Sequence, residues 1–142
     1  MSEVKANPIP QGKYVPATRY GNMIYTAGMT PRKNGVMILS GKVTKDTPLE
    51  TYKEAVRQAA DNALTAAKNK LAEGEKIVQV LTLTVYINAE PDFTTHAKFA
   101  DFATDYLVEE LGDAGVAARA SIGMGSLPGN APCEISIVCA AE

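Results

Sequence analysis

The alanine-rich stretch from Thr47 to Gly74 constrains the fold more than any other part of the sequence. Thr47 is a suitable N-cap, Pro48 suits the first helical position, Glu50 completes a capping box, and Gly74 marks the stop. One face of the predicted helix carries small and apolar residues at helical spacing: Tyr52, Val56, Ala59, Ala63, Ala67 and Leu71. Because most of these side chains are small, the helix can approach a sheet closely.

Periodicity and turn residues predict the other elements. Gly21-Asn22 and Asn34-Gly35 are hairpin signals, so the chain is expected to begin with short antiparallel strands. A second helix is predicted over 96–111, with Gly112 after it. The predicted strands are 14–20, 23–27, the segment after Asn34-Gly35, 77–87, 118–127 and 133–140. On strand 77–87, Leu81, Leu83, Val85 and Ile87 are expected on one face and Val80, Thr82, Thr84 and Tyr86 on the other.

This order of strands, helix, strand, helix and strands predicts one α+β domain over residues 1–142. A single sheet of about six strands is expected, with both helices on one face. Strand 77–87 nevertheless has apolar or amphipathic residues on both sides. Because monomers rarely expose a large apolar sheet face, the pattern predicts a homo-oligomer.

Charge and composition narrow the function. The net charge is −2, from 14 basic and 16 acidic residues, which disfavours a nucleic-acid partner. We expect no signal peptide and no membrane span, since neither pattern occurs. Cys133 and Cys139 would lie ~20 Å apart on one strand, so we expect free thiols and a cytoplasmic location. His96 is the only histidine, which disfavours a histidine-based metal site; we expect it to cap the second helix or lie on the surface.

Two charged residues, Arg119 and Glu134, flank a turn of sequence Leu-Pro-Gly-Asn-Ala-Pro. If the last two strands form a simple hairpin turning near Asn130, the two charges stand ~23 Å apart. They would share a site only if the strands are not hairpin neighbours or if the site forms between subunits. The pattern alone fits ordinary surface charges equally well.

Three motifs together resemble the Rid family, the YjgF-type reactive intermediate deaminases. The run "ARASIGMGSLPGNAPCEISIV" resembles the family's C-terminal signature of arginine, strand, Leu-Pro, small-residue turn and glutamate. "YGNMIYTAGMTP" is similar to its N-terminal strand, and "LTLTVYINAEPDF" to its central strand. The similarity extends from about Tyr14 to Val138, with the motifs in the family's order.

The resemblance implies a chorismate-mutase-like fold, assembled as a barrel-like homotrimer with clefts between subunits. It implies hydrolysis of 2-imino or enamine acids to 2-oxo acids and ammonia without a metal or organic cofactor. Arg119 would hold the substrate carboxylate and Glu134 would orient or deprotonate water. Tyr14, Ala27, Gly28 and Ser121 would lie at the substrate.

Some positions depart from the family pattern and suggest a divergent side branch. Ser121 stands where cysteine is more common, and Ala27 where serine is common. The asparagine of the family's second helix has no clear counterpart in "THAKFAD". The main alternative is a non-catalytic trimer that binds small carboxylates, for which Glu134 would be dispensable. Ribonuclease activity and chorismate-mutase-type isomerisation have less support from the sequence.

Overall fold

The computed structural model describes residues 5–142, which form a mixed β-sheet with two helices. The elements are β1 (Ala17–Tyr20), β2 (Met23–Thr26), β3 (Arg32–Lys33), β4 (Val36–Met37), α1 (Lys53–Lys68), β5 (Ile77–Asn88), α2 (His96–Leu111), β6 (Ala118–Met124) and β7 (Cys133–Ala141). The α+β architecture expected from the sequence is therefore confirmed.

The main sheet has five strands in the order β1-β2-β7-β5-β6. β5 and β6 are parallel and joined through α2, whereas the other neighbouring pairs are antiparallel. β3 and β4 form a separate ribbon, because the segment after Asn34-Gly35 pairs over two residues only. The sheet is thus one strand smaller than expected, and β6 forms one of its edges.

Both helices pack on the same face of this sheet and enclose the core. Ile24, Leu83, Ile135 and Ile137 of the sheet are almost fully buried there, together with Phe99 of α2. β5 alternates as expected from Leu83 onwards. Earlier in β5, a register shift between Val80 and Thr82 brings Val80 into the core, so its predicted place on the other face was wrong.

The first helix keeps its predicted stripe but neither its predicted start nor its predicted stop at Gly74, because α1 ends at Lys68 with Asn69 as its C-cap. Ala59, Ala63 and Ala67 are fully buried, which lets α1 lie close to β7. The capping box does not form. Thr47 Oγ1 is instead 2.6 Å from Thr44 Oγ1, and a 3-10 turn over Leu49–Tyr52 precedes α1. The second helix has the predicted bounds, and Gly112 follows it at φ 64°.

The opposite face of the sheet is not covered by either helix. It carries half-buried and exposed side chains, including Tyr25, Thr84, Tyr86, Ile122 and Val138. Tyr25 is 48% exposed and Ile122 is 42% exposed, which is high for residues of this size on a sheet. The partner that would cover this open face remains a prediction.

No helix within residues 5–142 is long and apolar enough to cross a membrane.

Candidate functional site

Arg119 and Glu134 lie on strands that both flank β5, so the hairpin arrangement considered from the sequence is wrong. Arg119 is level with Leu83 on one side of β5, and Glu134 is level with Tyr86 on the other. The two Cα atoms are therefore separated by roughly 10 Å along the strands and roughly 10 Å across them. The turn residues between β6 and β7 therefore do not make these two strands neighbours in the sheet.

The two charges also point to opposite faces of the sheet. Arg119 shares the face of its neighbour Leu83, which is buried beneath the helices. Glu134 shares the face of Tyr86, which is the open face. Leu83 and Tyr86 are three residues apart on β5. Because successive strand residues alternate between faces, an odd spacing puts these two residues, and therefore Arg119 and Glu134, on opposite faces. One chain therefore does not bring the predicted catalytic pair together.

Glu134 lies against Gly28 on the open face. A Cβ atom built on Gly28 would overlap Glu134 Oε2 and stand 2.7 Å from its Cδ, so only glycine leaves room for the carboxyl group. Within residues 5–142 the carboxylate has no hydrogen bond or ion pair. Burial raises the pKa of Glu134 above its ordinary value. A carboxylate whose pKa is raised by burial is a stronger base than an exposed one, and such groups are often found at functional sites.

Tyr14 and Ala27 lie close to the same position. They line an open hollow of about 460 Å³ together with Val15, Thr18 and Tyr25, among others. Tyr14 and Gly28 also line a smaller cavity of about 40 Å³. The Tyr14 hydroxyl accepts a hydrogen bond from the Gln11 backbone N–H at 3.1 Å. We call Tyr14, Ala27, Gly28 and Glu134 the glutamate cluster.

Arg119 is held by α2. Its Nη1 donates to Asp101 Oδ1 at 2.8 Å and to Thr104 Oγ1 at 3.0 Å, and its Nη2 donates to the Ala97 carbonyl at 3.2 Å. Sequence reasoning missed Asp101 and Thr104. The signal was available, because Ala97, Asp101 and Thr104 are spaced four and three residues apart and so share one face of the predicted helix.

Ser121 and His96 lie along the same side of β6 as Arg119. Ser121 is level with buried Val85 and therefore faces the helices. A Cβ atom on Gly123 would stand 2.9 Å from His96 Nε2, which places the imidazole over the edge strand. The helix cap is Thr95, so the expected capping role of His96 was wrong; its ring packs edge-on against Phe93 at 5.1 Å. We call Arg119, Ser121 and His96 the arginine row.

Neither cysteine belongs to these groups. Cys133 and Cys139 are free thiols, as expected, and both are buried beneath the helices. Burial raises the pKa of Cys139 to about 12 and raises that of Cys133 as well. Neither is a reactive thiolate at neutral pH. Within the described part of the chain, no three His, Cys, Asp or Glu side chains are grouped as metal ligands.

Comparisons with known proteins confirm the expected chorismate-mutase-like fold. Residues 2–141 match the family described as "YjgF/chorismate mutase-like, putative endoribonuclease". The chain is similar to the crystal structure of Atu1372 from Agrobacterium tumefaciens, a protein of unknown function, with 31% identity, a TM-score of 0.83, and coverage of 94% of this chain and 86% of that one.

Two further relatives extend the similarity. A "putative endoribonuclease" from Shewanella oneidensis is 27% identical with a TM-score of 0.86, over 97% of this chain and 91% of that one. Protein TCP17 from Trypanosoma cruzi is 23% identical over 134 residues, which are 94% of this chain and 84% of that protein. The similarity therefore spans almost the whole length of the chain.

Proposed function

Because the chain belongs to the YjgF/chorismate mutase-like family, we propose that it is a hydrolytic deaminase that converts 2-imino acids to 2-oxo acids and ammonia. The observation that carries the proposal is Glu134. Its carboxylate is half-buried, burial raises its pKa, and it lies against Gly28, which lines the smaller cavity of about 40 Å³. A carboxylate with those properties suits a general base for water.

The proposed active unit is a homotrimer with its sites between subunits. Arg119 and Glu134 face opposite sides of the sheet in one chain, so a shared site needs two chains. The edge strand β6 and the open face are the surfaces available for such contact. The arginine row of one subunit would then face the glutamate cluster of the next, and the exposed Ile122 and Tyr25 would become buried.

The chemistry requires one carboxylate anchor and one proton carrier. The guanidinium of Arg119 binds the substrate carboxylate, because its planar donors match that group. Glu134 takes a proton from water while the hydroxyl adds to the C=N carbon, and this proton passes to the nitrogen. Glu134 then takes the proton of the new hydroxyl, the C–N bond breaks, and the proton leaves with ammonia as ammonium. The sum is iminium acid plus water giving 2-oxo acid plus ammonium.

The other residues define the surroundings of the reacting carbon. Tyr14 has a hydroxyl that can donate to substrate or water, and Ala27 and Gly28 leave space beside Glu134. Ser121 supplies a hydroxyl where family members more often have a thiol. The C=N carbon is already electrophilic, so the proposed reaction calls for no cofactor. A cytoplasmic location fits the two free thiols.

The family's description mentions endoribonuclease activity. The net charge of −2 gives little support to such an activity in this chain, because proteins that bind nucleic acids usually carry a basic surface.

Hydrolysis of 2-iminobutanoate and 2-iminopropanoate, generated in situ, tests the proposal. We expect Glu134→Gln to lower kcat by about 10²–10³-fold, because it removes the proton carrier and keeps the shape. Arg119→Ala should raise KM and lower kcat/KM. A wild-type protein that binds 2-oxobutanoate but shows no turnover would instead indicate a carboxylate-binding trimer, in which Glu134→Gln leaves binding unchanged.

A further inference from the structure

Three of the five N–H donors of the Arg119 guanidinium are used by contacts within residues 5–142. A guanidinium has five N–H donors, one on Nε and two on each Nη. Both Nη1 donors are used, by Asp101 Oδ1 at 2.8 Å and Thr104 Oγ1 at 3.0 Å. One Nη2 donor is used by the Ala97 carbonyl at 3.2 Å. Within residues 5–142 the Nε donor and the second Nη2 donor have no hydrogen-bond partner, and Nε with Nη2 forms the side edge of the guanidinium that can bind both oxygens of a carboxylate.

We propose that Asp101 and Thr104 are positioning residues that turn this side edge of Arg119 toward the substrate carboxylate. The proposal rests on the carboxylate-binding role given to Arg119 above. It assigns neither residue to the reacting atoms. Asp101 and Thr104 affect the substrate only through Arg119. They occupy both Nη1 donors, so the guanidinium is not available to bind a carboxylate through its Nη1 and Nη2 end.

Stability does not account for this arrangement. The Asp101 side chain is 59% exposed, and ion pairs with such an exposed partner contribute little to the free energy of unfolding. The Arg119 side chain is only 21% exposed, so its place beside α2 is well defined. Fixing a long side chain before the ligand arrives reduces the entropy lost on binding. Orientation of the guanidinium is therefore the main consequence of these contacts.

The charge and the hydrogen bond of Asp101 act in opposite directions on ligand affinity. Its hydrogen bond orients Arg119, whereas its negative charge repels an incoming carboxylate. Asp101→Asn keeps an oxygen acceptor and removes the charge, and Asp101→Ala removes both. Positioning by the hydrogen bond therefore predicts loss of affinity in the alanine variant and its recovery in the asparagine variant.

Calorimetric titration with 2-oxobutanoate measures this without turnover. We expect Asp101→Ala to raise Kd about 5–10-fold, as for loss of one charge-assisted hydrogen bond. Asp101→Asn should stay within about 2-fold of wild type, and Thr104→Val should raise Kd about 2–3-fold, with Thr104→Ser restoring it. Asp105→Asn is the matched control, because it makes the same charge change on α2 without contacting Arg119, and it should leave Kd unchanged.

The outcomes separate this inference from the proposed function. An Asp101→Ala protein that folds and binds as tightly as wild type would overturn the positioning role, as would wild-type protein that does not bind 2-oxobutanoate. If circular dichroism shows that Asp101→Ala is unfolded, Thr104→Val and Thr104→Ser provide the test. A Thr104→Val protein that binds 2-oxobutanoate as tightly as wild type would then overturn the positioning role. If the expected Kd pattern appears while imine hydrolysis is absent, the proposed reaction fails and the positioning of Arg119 stands.

Discussion

Two glutamates, Glu75 and Glu134, differ in whether an arginine neutralises them. Arg19 on β1 donates from Nη2 to Glu75 at 2.8 Å and from Nη1 to the other Glu75 oxygen, and it also reaches the carbonyls of Gly21 and Lys70. This pairing lowers the pKa of Glu75 to about 2. Glu134, by contrast, has no such partner in the part of the chain that the structure describes, and burial raises its pKa.

The difference separates a charge that is neutralised by an ion pair, as Glu75 is by Arg19, from one that has no ion pair within residues 5–142, as is the case for Glu134. Arg19 and Glu75 come from distant parts of the chain and neutralise each other within it. Arg119 and Glu134 belong to strands that share the neighbour β5, yet they point to opposite faces. A charge left unpaired at a cost in desolvation is a candidate for a functional role.

The largest expected change in activity comes from mixing two inactive variants, one without Arg119 and one without Glu134. Trimers assembled from equal amounts of Arg119→Ala and Glu134→Gln chains should recover about a quarter of wild-type turnover, because random assembly leaves about one interface in four with both residues intact. The variants alone should remain near background. The measurement is imine hydrolysis after co-refolding or co-expression.

Trimers of Arg119→Ala with the double variant Arg119→Ala/Glu134→Gln serve as the control and should stay inactive. If the first mixture recovers no turnover, although its trimers are shown to contain both variants, then each site takes Arg119 and Glu134 from the same chain.

Gly28→Ala should have the next largest effect. The added methyl would overlap Glu134 Oε2, so the carboxylate must move from its observed position. We expect kcat to fall about 10–100-fold, because small displacements of a catalytic group are costly. Gly125→Ala is the control, since a Cβ there meets no atom within 4 Å. Equal activity of Gly28→Ala and wild type would argue against Glu134 acting from its observed position.

The two glutamates should affect thermal stability with opposite sign, which is the smallest effect. Glu75→Gln should lower Tm by a few degrees at pH 7, and the deficit should close as the pH falls from about 4 toward 2, where Glu75 itself becomes protonated. Glu134→Gln should raise Tm at pH 7, because it removes a charge whose burial is unfavourable. That gain should shrink as the pH falls through the raised folded-state pKa of Glu134 and should be absent below about pH 4, where the wild-type group is protonated in both states.

Asp92→Asn controls for charge removal at an exposed pair with Lys45, whose side chains are 58% and 57% exposed. Its Tm should match wild type. A lower Tm for Glu134→Gln at pH 7 would show that a positive group of another subunit stabilises the Glu134 carboxylate.

Local sequence patterns predicted the elements and most of the burial. The apolar spacing and Gly112 defined α2, and the alternation from Leu83 onwards identified the core face of β5. The capping box failed because Thr44 provides a competing partner for the Thr47 hydroxyl. The capping-box motif begins at Thr47, so it takes no account of Thr44, which lies three residues before it.

The relation between Arg119 and Glu134 was beyond local patterns. Strand neighbours are decided by long-range packing, and here the crossover through α2 makes β6 parallel to β5. Register then decides the face, since a shift of one residue reverses every side chain. The family resemblance identified the residues, and the structure located them in two separate groups, the arginine row and the glutamate cluster.

The strand order has a consequence for folding during synthesis. β7 lies between β2 and β5, so the hairpin of β1 and β2 joins the sheet only through a strand that begins at Cys133. Ribosomes add residues in sequence, and long-range strand pairing is slow. The first hairpin must therefore wait, unpaired at one edge, until β7 has been made. A stall before Cys133 would expose that edge to other nascent chains.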